Sequence, residues 1–195
     1  MRIERRKDHY HQKAKKEKYL ARSVYKLEEI QKKHQVIRKG DAILDIGCSP
    51  GSWVQYTQEH IGDEGSIVGV DVQPLKIDSQ KNITFIQRDI FEVTVEEIQA
   101  ISPLFDCIMS DAAPNTSGDR FTDCQKSLRI CERVFELSRT LLKKNGNLIM
   151  KIFQGEDFPA FYHEVKKSYK VCKTQKPHSS RKESYEVFIV GKNKV

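Results

Sequence analysis

Four aspartates stand at or beside the ends of short apolar runs: Asp45 in AILDI, Asp71 after SIVGV, Asp89 after ITFIQ-Arg88 and Asp111 after FDCIMS. Between Asp45 and the helical pattern beyond it lies Gly47-Cys48-Ser49-Pro50-Gly51. Its two glycines allow a tight turn and let a ligand approach the main chain. The loop is not the G-x-G-x-x-G of a dinucleotide fold, and Asp45 beside it would repel a pyrophosphate, which argues against a dehydrogenase. Asp71 follows Asp45 by 26 residues, about where a carboxylate accepts hydrogen bonds from ribose hydroxyls in such folds. Four carboxylates on one rim repel one another unless a ligand brings positive charge and hydrogen-bond donors. S-adenosylmethionine answers that description through its sulfonium, α-ammonium, ribose diol and adenine amine. Any one of these aspartates alone reads equally well as a helix cap or a turn; the four together do not. No His/Cys/carboxylate set has metal-ligand spacing, so no metal is expected.

The elements that would hold these residues follow from hydrophobic periodicity. Strands are predicted at 42–46, 66–70, 83–87, 105–110, 147–153, 170–174 and 185–191, and helices at 21–34, 52–60, 94–100, 122–143 and 157–168. Strand and helix in alternation predict an α/β fold, a mostly parallel sheet of about seven strands with helices on both faces. The connection 175–184 is too short for a crossover helix, so the last strand is expected to run antiparallel. In such a sheet ligands bind at the carboxyl ends of the parallel strands, where the four aspartates fall.

At 195 residues the chain suits one domain, read as a basic N-terminal extension over 1–20 and a catalytic domain over 21–192. The net charge of +7 is unevenly spread: residues 1–40 carry +9, residues 41–165 carry −9 and residues 166–195 carry +7. Basic ends around an acidic middle suit a polyanion binder that also holds a cationic ligand, or else a solvated basic tail. Five widely spaced cysteines without a C-x-x-C pair suit a reducing cytoplasm and packing rather than metal binding. No apolar run approaches the roughly 18 residues of a membrane span, so a soluble cytoplasmic protein without a membrane partner is expected.

The segments DIGCSPGSWVQ (45–55), DVQPL (71–75), QRDIF (87–91), IMSDAAPNTSG (108–118), LIMKIFQG (148–155) and SYEVFIVG (184–191) resemble the FtsJ/RrmJ family of S-adenosylmethionine-dependent RNA ribose 2′-O-methyltransferases. The resemblance covers about residues 20–192. It implies a Rossmann-like class I methyltransferase fold and a Lys-Asp-Lys-Glu tetrad, which falls on Lys26, Asp111, Lys151 and Glu186. It also implies cofactor contacts at Gly51, Trp53, Asp71, Asp89 and Asp111, beside the Asp45 and Gly47 of the loop. Ser52 departs from the pattern, since close relatives often carry a second glycine there. In the tetrad Lys151 is assigned as proton acceptor for a ribose 2′-hydroxyl, and Lys26 and Glu186 as orienting and electrostatic groups. Without the family pattern, Lys26 on an amphipathic helix reads first as a surface ion-pair partner.

The resemblance gives the basic ends a use. Residues 2–39, with Tyr10, Tyr19 and Tyr25 among the Lys and Arg, and the loop KPHSSRK (176–182) suit RNA phosphates and exposed bases. Tyr19 and Tyr25 are equally placed to pack the first helix onto the sheet. The expected partner is RNA rather than DNA, first of all ribosomal RNA or the large ribosomal subunit, with a uridine as the methylated nucleotide. The alternatives are a transfer RNA anticodon-loop methyltransferase and, from another class, a non-catalytic RNA-binding assembly factor.

Overall fold

The computed structural model describes residues 9–181 and 183–195; residues 1–8 and Lys182, which the charge argument includes, lie outside them. Seven strands form one sheet: β1 (Ala42–Ile46), β2 (Ser66–Asp71), β3 (Ile83–Gln87), β4 (Phe105–Ser110), β5 (Leu142–Phe153), β6 (Tyr169–Gln175) and β7 (Glu186–Lys194). Their order is β3-β2-β1-β4-β5-β7-β6. The first five run parallel, and β7 runs antiparallel to both β5 and β6. The strand order reverses between β1 and β4, so the loops after these strands diverge to opposite faces and leave a crevice at their carboxyl ends.

Among the described residues six helices cover the sheet: α1 (His9–Lys16), α2 (Val24–His34), α3 (Ser52–Ile61), α4 (Val95–Gln99), α5 (Arg120–Leu141) and α6 (Phe158–Lys166). Alternation along the strands divides the core. Leu44, Ile46, Val68, Val70, Ile108, Leu148 and Met150 pack on one face with Val134, Phe135 and Leu141 of α5 and Phe161 and Val165 of α6. Ile43, Ile67, Met109, Ile149 and Phe188 pack on the other with Leu27 and Ile30 of α2 and Trp53, Val54 and Ile61 of α3. Central strands apolar on both faces give the unbroken runs seen in the sequence.

The elements differ from expectation most at α1 and where α5 meets β5, while α2 starts at Val24 rather than 21 and β7 runs on to Lys194 rather than 191. The helix α1 has no counterpart among the predicted elements, because HYHQKAKK offers only Tyr10 and Ala14 as an apolar stripe. Ala14 is nevertheless buried in the core cluster that holds Val24, Tyr25 and Leu27 of α2, the Tyr10 and Tyr25 rings lie 5.4 Å apart, and Lys13 Nζ sits 4.2 Å from the Tyr25 ring centre. The described part of the N-terminal extension therefore packs on the domain, and Tyr25 is a core residue, not an exposed stacking platform. The helix α5 starts at Arg120, where the Asp119 side chain caps it by accepting from the Thr122 amide. It ends at Leu141, and β5 follows without a loop, five residues earlier than the apolar pattern NLIMKIF indicates. All five cysteines are free and buried. No described helix is long and apolar enough to cross a membrane.

Candidate active site

A cavity of about 340 Å³ opens at the carboxyl ends of β1, β2, β3 and β4. Asp71, Asp89 and Asp111 line it together with Gly47 and Ser49, over apolar walls from Ile46, Val70, Ile90, Phe91 and Ile130. Gly47 has φ +76°, and a Cβ there would lie 2.7 Å from the backbone of Ala112, so only glycine lets the loop after β1 pass the loop after β4. Asp71 closes β2 and braces this loop: its Oδ2 accepts from the Ser49 amide at 2.8 Å and its Oδ1 from the Gln73 amide at 2.8 Å. Each oxygen keeps a second lone pair for a ligand in the cavity. Asp89 Oδ1 accepts from the Phe91 amide at 3.0 Å and sets the turn that carries Phe91 to the cavity wall.

Asp45 departs from the expected common rim. The strand β1 continues through Ile46, and Asp45 pairs with Gly69 and Met109, one layer inside the cavity mouth. It is 0% exposed, and neither carboxylate oxygen has a hydrogen-bond partner. Burial, then the charges of Asp111 and Asp71, push its carboxyl well above the usual range. An acid whose folded-state pKa is raised costs the native state stability as pH climbs from the unfolded value of about 4 toward the folded one. Asp45→Asn removes that cost. Its stability relative to wild type should therefore be lowest near pH 4 and improve as pH rises, which thermal melts of the ligand-free protein at several pH values will show.

Gly51 and Trp53 do not line the cavity. The Trp53 indole is 2% exposed, stacks on Phe188 at 5.9 Å, and donates to the Ser23 carbonyl at 2.9 Å, so its side chain belongs to the core that seats α2. What these two residues turn toward the loop is main chain: Gly51 caps α3 at φ +122°, and the first-turn amides behind it have no helical acceptor. Phe91 and Ile130, which wall the cavity, are not among the residues that sequence reasoning singles out. Phe91 lies within the quoted QRDIF segment, and a large apolar residue just after Asp89 in a loop is the cue.

The four tetrad positions come from four separate elements and meet beside this cavity. Lys26 projects from α2, Asp111 follows β4, Lys151 lies in β5 and Glu186 opens β7. Lys151 Nζ stands 2.9 Å from Asp111 Oδ1, and Lys26 Nζ stands 3.8 Å from that oxygen and 2.7 Å from Glu186 Oε1. Cation and anion thus alternate along the row Lys151, Asp111, Lys26, Glu186. The Lys151 ammonium donates to the Asp111 carbonyl and meets the Oδ1 as a charge contact, without hydrogen-bond alignment. Burial alone would raise the Glu186 carboxyl, but Lys26, Ser180 and Lys151 together hold it below the usual range. Glu186 is ionised at neutral pH.

A second pocket of about 530 Å³ lies on the far side of the row, lined by Arg22, Ser23, Lys26, Ser179, Arg181, Glu183, Ser184 and Glu186. Asp111 faces the first cavity, and Lys26 and Glu186 face the second. Two compartments that share a charged wall suit two reactants meeting at it. The first sets Asp71, Asp89 and Asp111 against one guanidinium, Arg88, which is ion-paired with Glu97; the second sets Arg22, Arg181 and Lys26 against Glu183 and Glu186. The former fits a ligand with cationic centres and several donors, the latter a polyanion. Among the described residues no group of three His, Cys, Asp or Glu is placed to hold a metal ion.

The FtsJ-like methyltransferase family model matches residues 19–194, nearly the full length. The chain belongs to this family. Membership in it implies S-adenosylmethionine as methyl donor. It is 45% identical over 188 residues to the ribosomal RNA large subunit methyltransferase E of Desulfatibacillum aliphaticivorans, covering 96% of this chain and 91% of that one. It is 47% identical over 190 residues to the protein of the same name from Desulfotalea psychrophila, covering 95% and 94%. A crystal structure of a ribosomal RNA methyltransferase from Plasmodium falciparum superposes with a TM-score of 0.79 at 28% identity, covering 90% of this chain and 98% of that one. The methyltransferase fold expected from the sequence is the one observed.

Proposed function

We propose that this methyltransferase acts on a ribose 2′-hydroxyl of large-subunit ribosomal RNA, with the first cavity for the methyl donor and the second pocket for the RNA. The observation that carries the reading is the Lys151-Asp111-Lys26-Glu186 row on the wall between the two compartments. The names of the relatives, which specify large-subunit ribosomal RNA, support the choice of substrate.

S-adenosylmethionine, when bound, would supply a methyl carbon open to in-line attack by an oxygen, the C–S bond breaking and the sulfur leaving as a neutral thioether. The protein's residues do the rest. Asp71 would hold the ribose of the donor, while Asp111 on the cavity wall favours a cationic ligand. Lys151 takes the proton of the RNA 2′-hydroxyl as the new bond forms. An ammonium accepts nothing, so transfer draws on molecules in which Lys151 is the free amine. Lys26, held between Glu186 and Asp111, faces the RNA pocket and orients the attacking ribose. Arg22 and Arg181 suit the phosphates flanking that ribose.

Ribose-methylation mapping of total RNA from cells with and without the protein tests the proposal. Loss of a single 2′-O-methyl mark in large-subunit ribosomal RNA is expected; a lost transfer RNA mark would reassign the substrate. RNA binding should also weaken steeply with salt, because neutralised phosphates release counterions. Removing residues 1–8, which hold four Lys and Arg, should flatten that dependence in filter binding, by a slope of roughly 0.7 for each phosphate the shortened chain leaves un-neutralised. An unchanged slope would make that segment a solvated face.

A further inference from the structure

The turn between β6 and β7 is fastened to α2 and to the tetrad at once. Glu29, three residues beyond Lys26 on the same face of α2, accepts from two consecutive amides of the turn, His178 at 2.6 Å and Ser179 at 2.9 Å. The Arg22 guanidinium donates to the Ser179 carbonyl. One residue further, the Ser180 hydroxyl donates to Glu186 Oε1 at 2.7 Å, the same oxygen that Lys26 Nζ approaches at 2.7 Å. Ser180 is buried, and its amide closes the turn onto the Pro177 carbonyl at 3.1 Å.

These contacts form a closed ring: α2 through Glu29 to the turn, Ser180 to Glu186, Glu186 to Lys26, and Lys26 back to α2. The ring matters because a glutamate's last torsion is broad, and a single ion pair leaves the carboxylate plane free to swing. A second donor on the same oxygen fixes that plane, and the donor is itself fixed by the two amides that Glu29 holds.

We propose that the Pro177–Ser180 turn is a positioning strap for methyl transfer: Glu29 anchors it on α2, and Ser180 sets the Glu186 carboxylate so that Lys26 stays aligned with Asp111. This rests on the tetrad reading above. Ser180 and Glu29 are positioning residues that act through Glu186.

The test is single-turnover transfer from S-adenosylmethionine to large-subunit ribosomal RNA by the full chain, with cofactor and RNA dissociation constants measured for each variant. Ser180→Ala should slow transfer about tenfold or more while both dissociation constants stay within about twofold, because alignment is lost and binding is not. Ser180→Thr keeps the hydroxyl and should restore most of the rate. Glu29→Ala should slow transfer too, and the double variant should be no slower than the worse single one, as expected for residues acting through one ring. The strap is overturned if Ser180→Ala transfers at the wild-type rate, if Ser180→Thr is as slow as Ser180→Ala, or if the loss appears in RNA affinity instead of rate. Glu186→Ala, run alongside, separates the two readings. A normal rate for Glu186→Ala overturns the tetrad and the strap together, whereas a slow Glu186→Ala beside a normal Ser180→Ala overturns the strap alone.

Discussion

Lys151→Arg is expected to transfer methyl groups about 10² to 10⁴-fold more slowly than wild type, and Lys151→Ala to fall as far, with cofactor affinity little changed in either. Lys151 is 7% exposed beside Asp111, the tetrad member that lines the first cavity, and its ammonium touches only Asp111 among the tetrad. Removing the side chain leaves the Gly47 loop and Asp71 in place, so the donor cavity should still fill. The arginine variant discriminates between two roles. It keeps a positive charge opposite Asp111, yet a guanidinium is effectively never neutral and cannot take the hydroxyl proton. If charge alone were needed, arginine would rescue. Single-turnover rates of the three proteins on a methylatable ribosomal RNA decide the matter, and an active Lys151→Arg would reduce Lys151 to an electrostatic positioner.

Asp71→Ala should weaken S-adenosylmethionine binding by about 1.5–3 kcal/mol, roughly 10- to 150-fold in dissociation constant, from the loss of charge-assisted hydrogen bonds. The geometry adds to the effect. The same carboxylate accepts from the Ser49 and Gln73 amides, so the substitution also frees the glycine loop from β2. Asp71→Asn is the informative partner. An amide can accept through one atom only, so one brace is lost while side-chain volume is kept, and its affinity should fall between wild type and alanine. Calorimetry on the three proteins reads this directly. Equal affinities across the series would place the donor's ribose elsewhere.

Much of this arrangement is legible in the sequence alone. The central strands are apolar on both faces, so their limits appear as plain runs of residues, and the short 175–184 connection dictates the reversal of β7. What escapes depends on relations that periodicity does not encode. Asp45 stands near the end of its apolar run as the rim carboxylates do, but β1 runs one residue past it, and a single step along a strand moves a side chain to the opposite face. The helix α1 is too polar to betray its packed side. The Trp53 indole stacks on Phe188, far along the chain, so its burial is a tertiary fact. The Glu29 bonds to the turn before β7 run from side chain to main chain across nearly the whole sequence, and no local pattern marks them.

The reversed strand has a consequence for how the enzyme fails. Because β7 runs against β5, it is the beginning of β7 that reaches the carboxyl-end rim, and Glu186 arrives there from the half of the sheet opposite the donor cavity. The cavity rests on β1 to β4, whereas Glu186 and the turn that holds it belong to the β6–β7 hairpin at the sheet's far side. A local opening confined to that hairpin would disconnect Lys26 from its carboxylate and leave the donor site whole. A molecule opened there alone would still capture S-adenosylmethionine but no longer spend it, an enzyme loaded and silent.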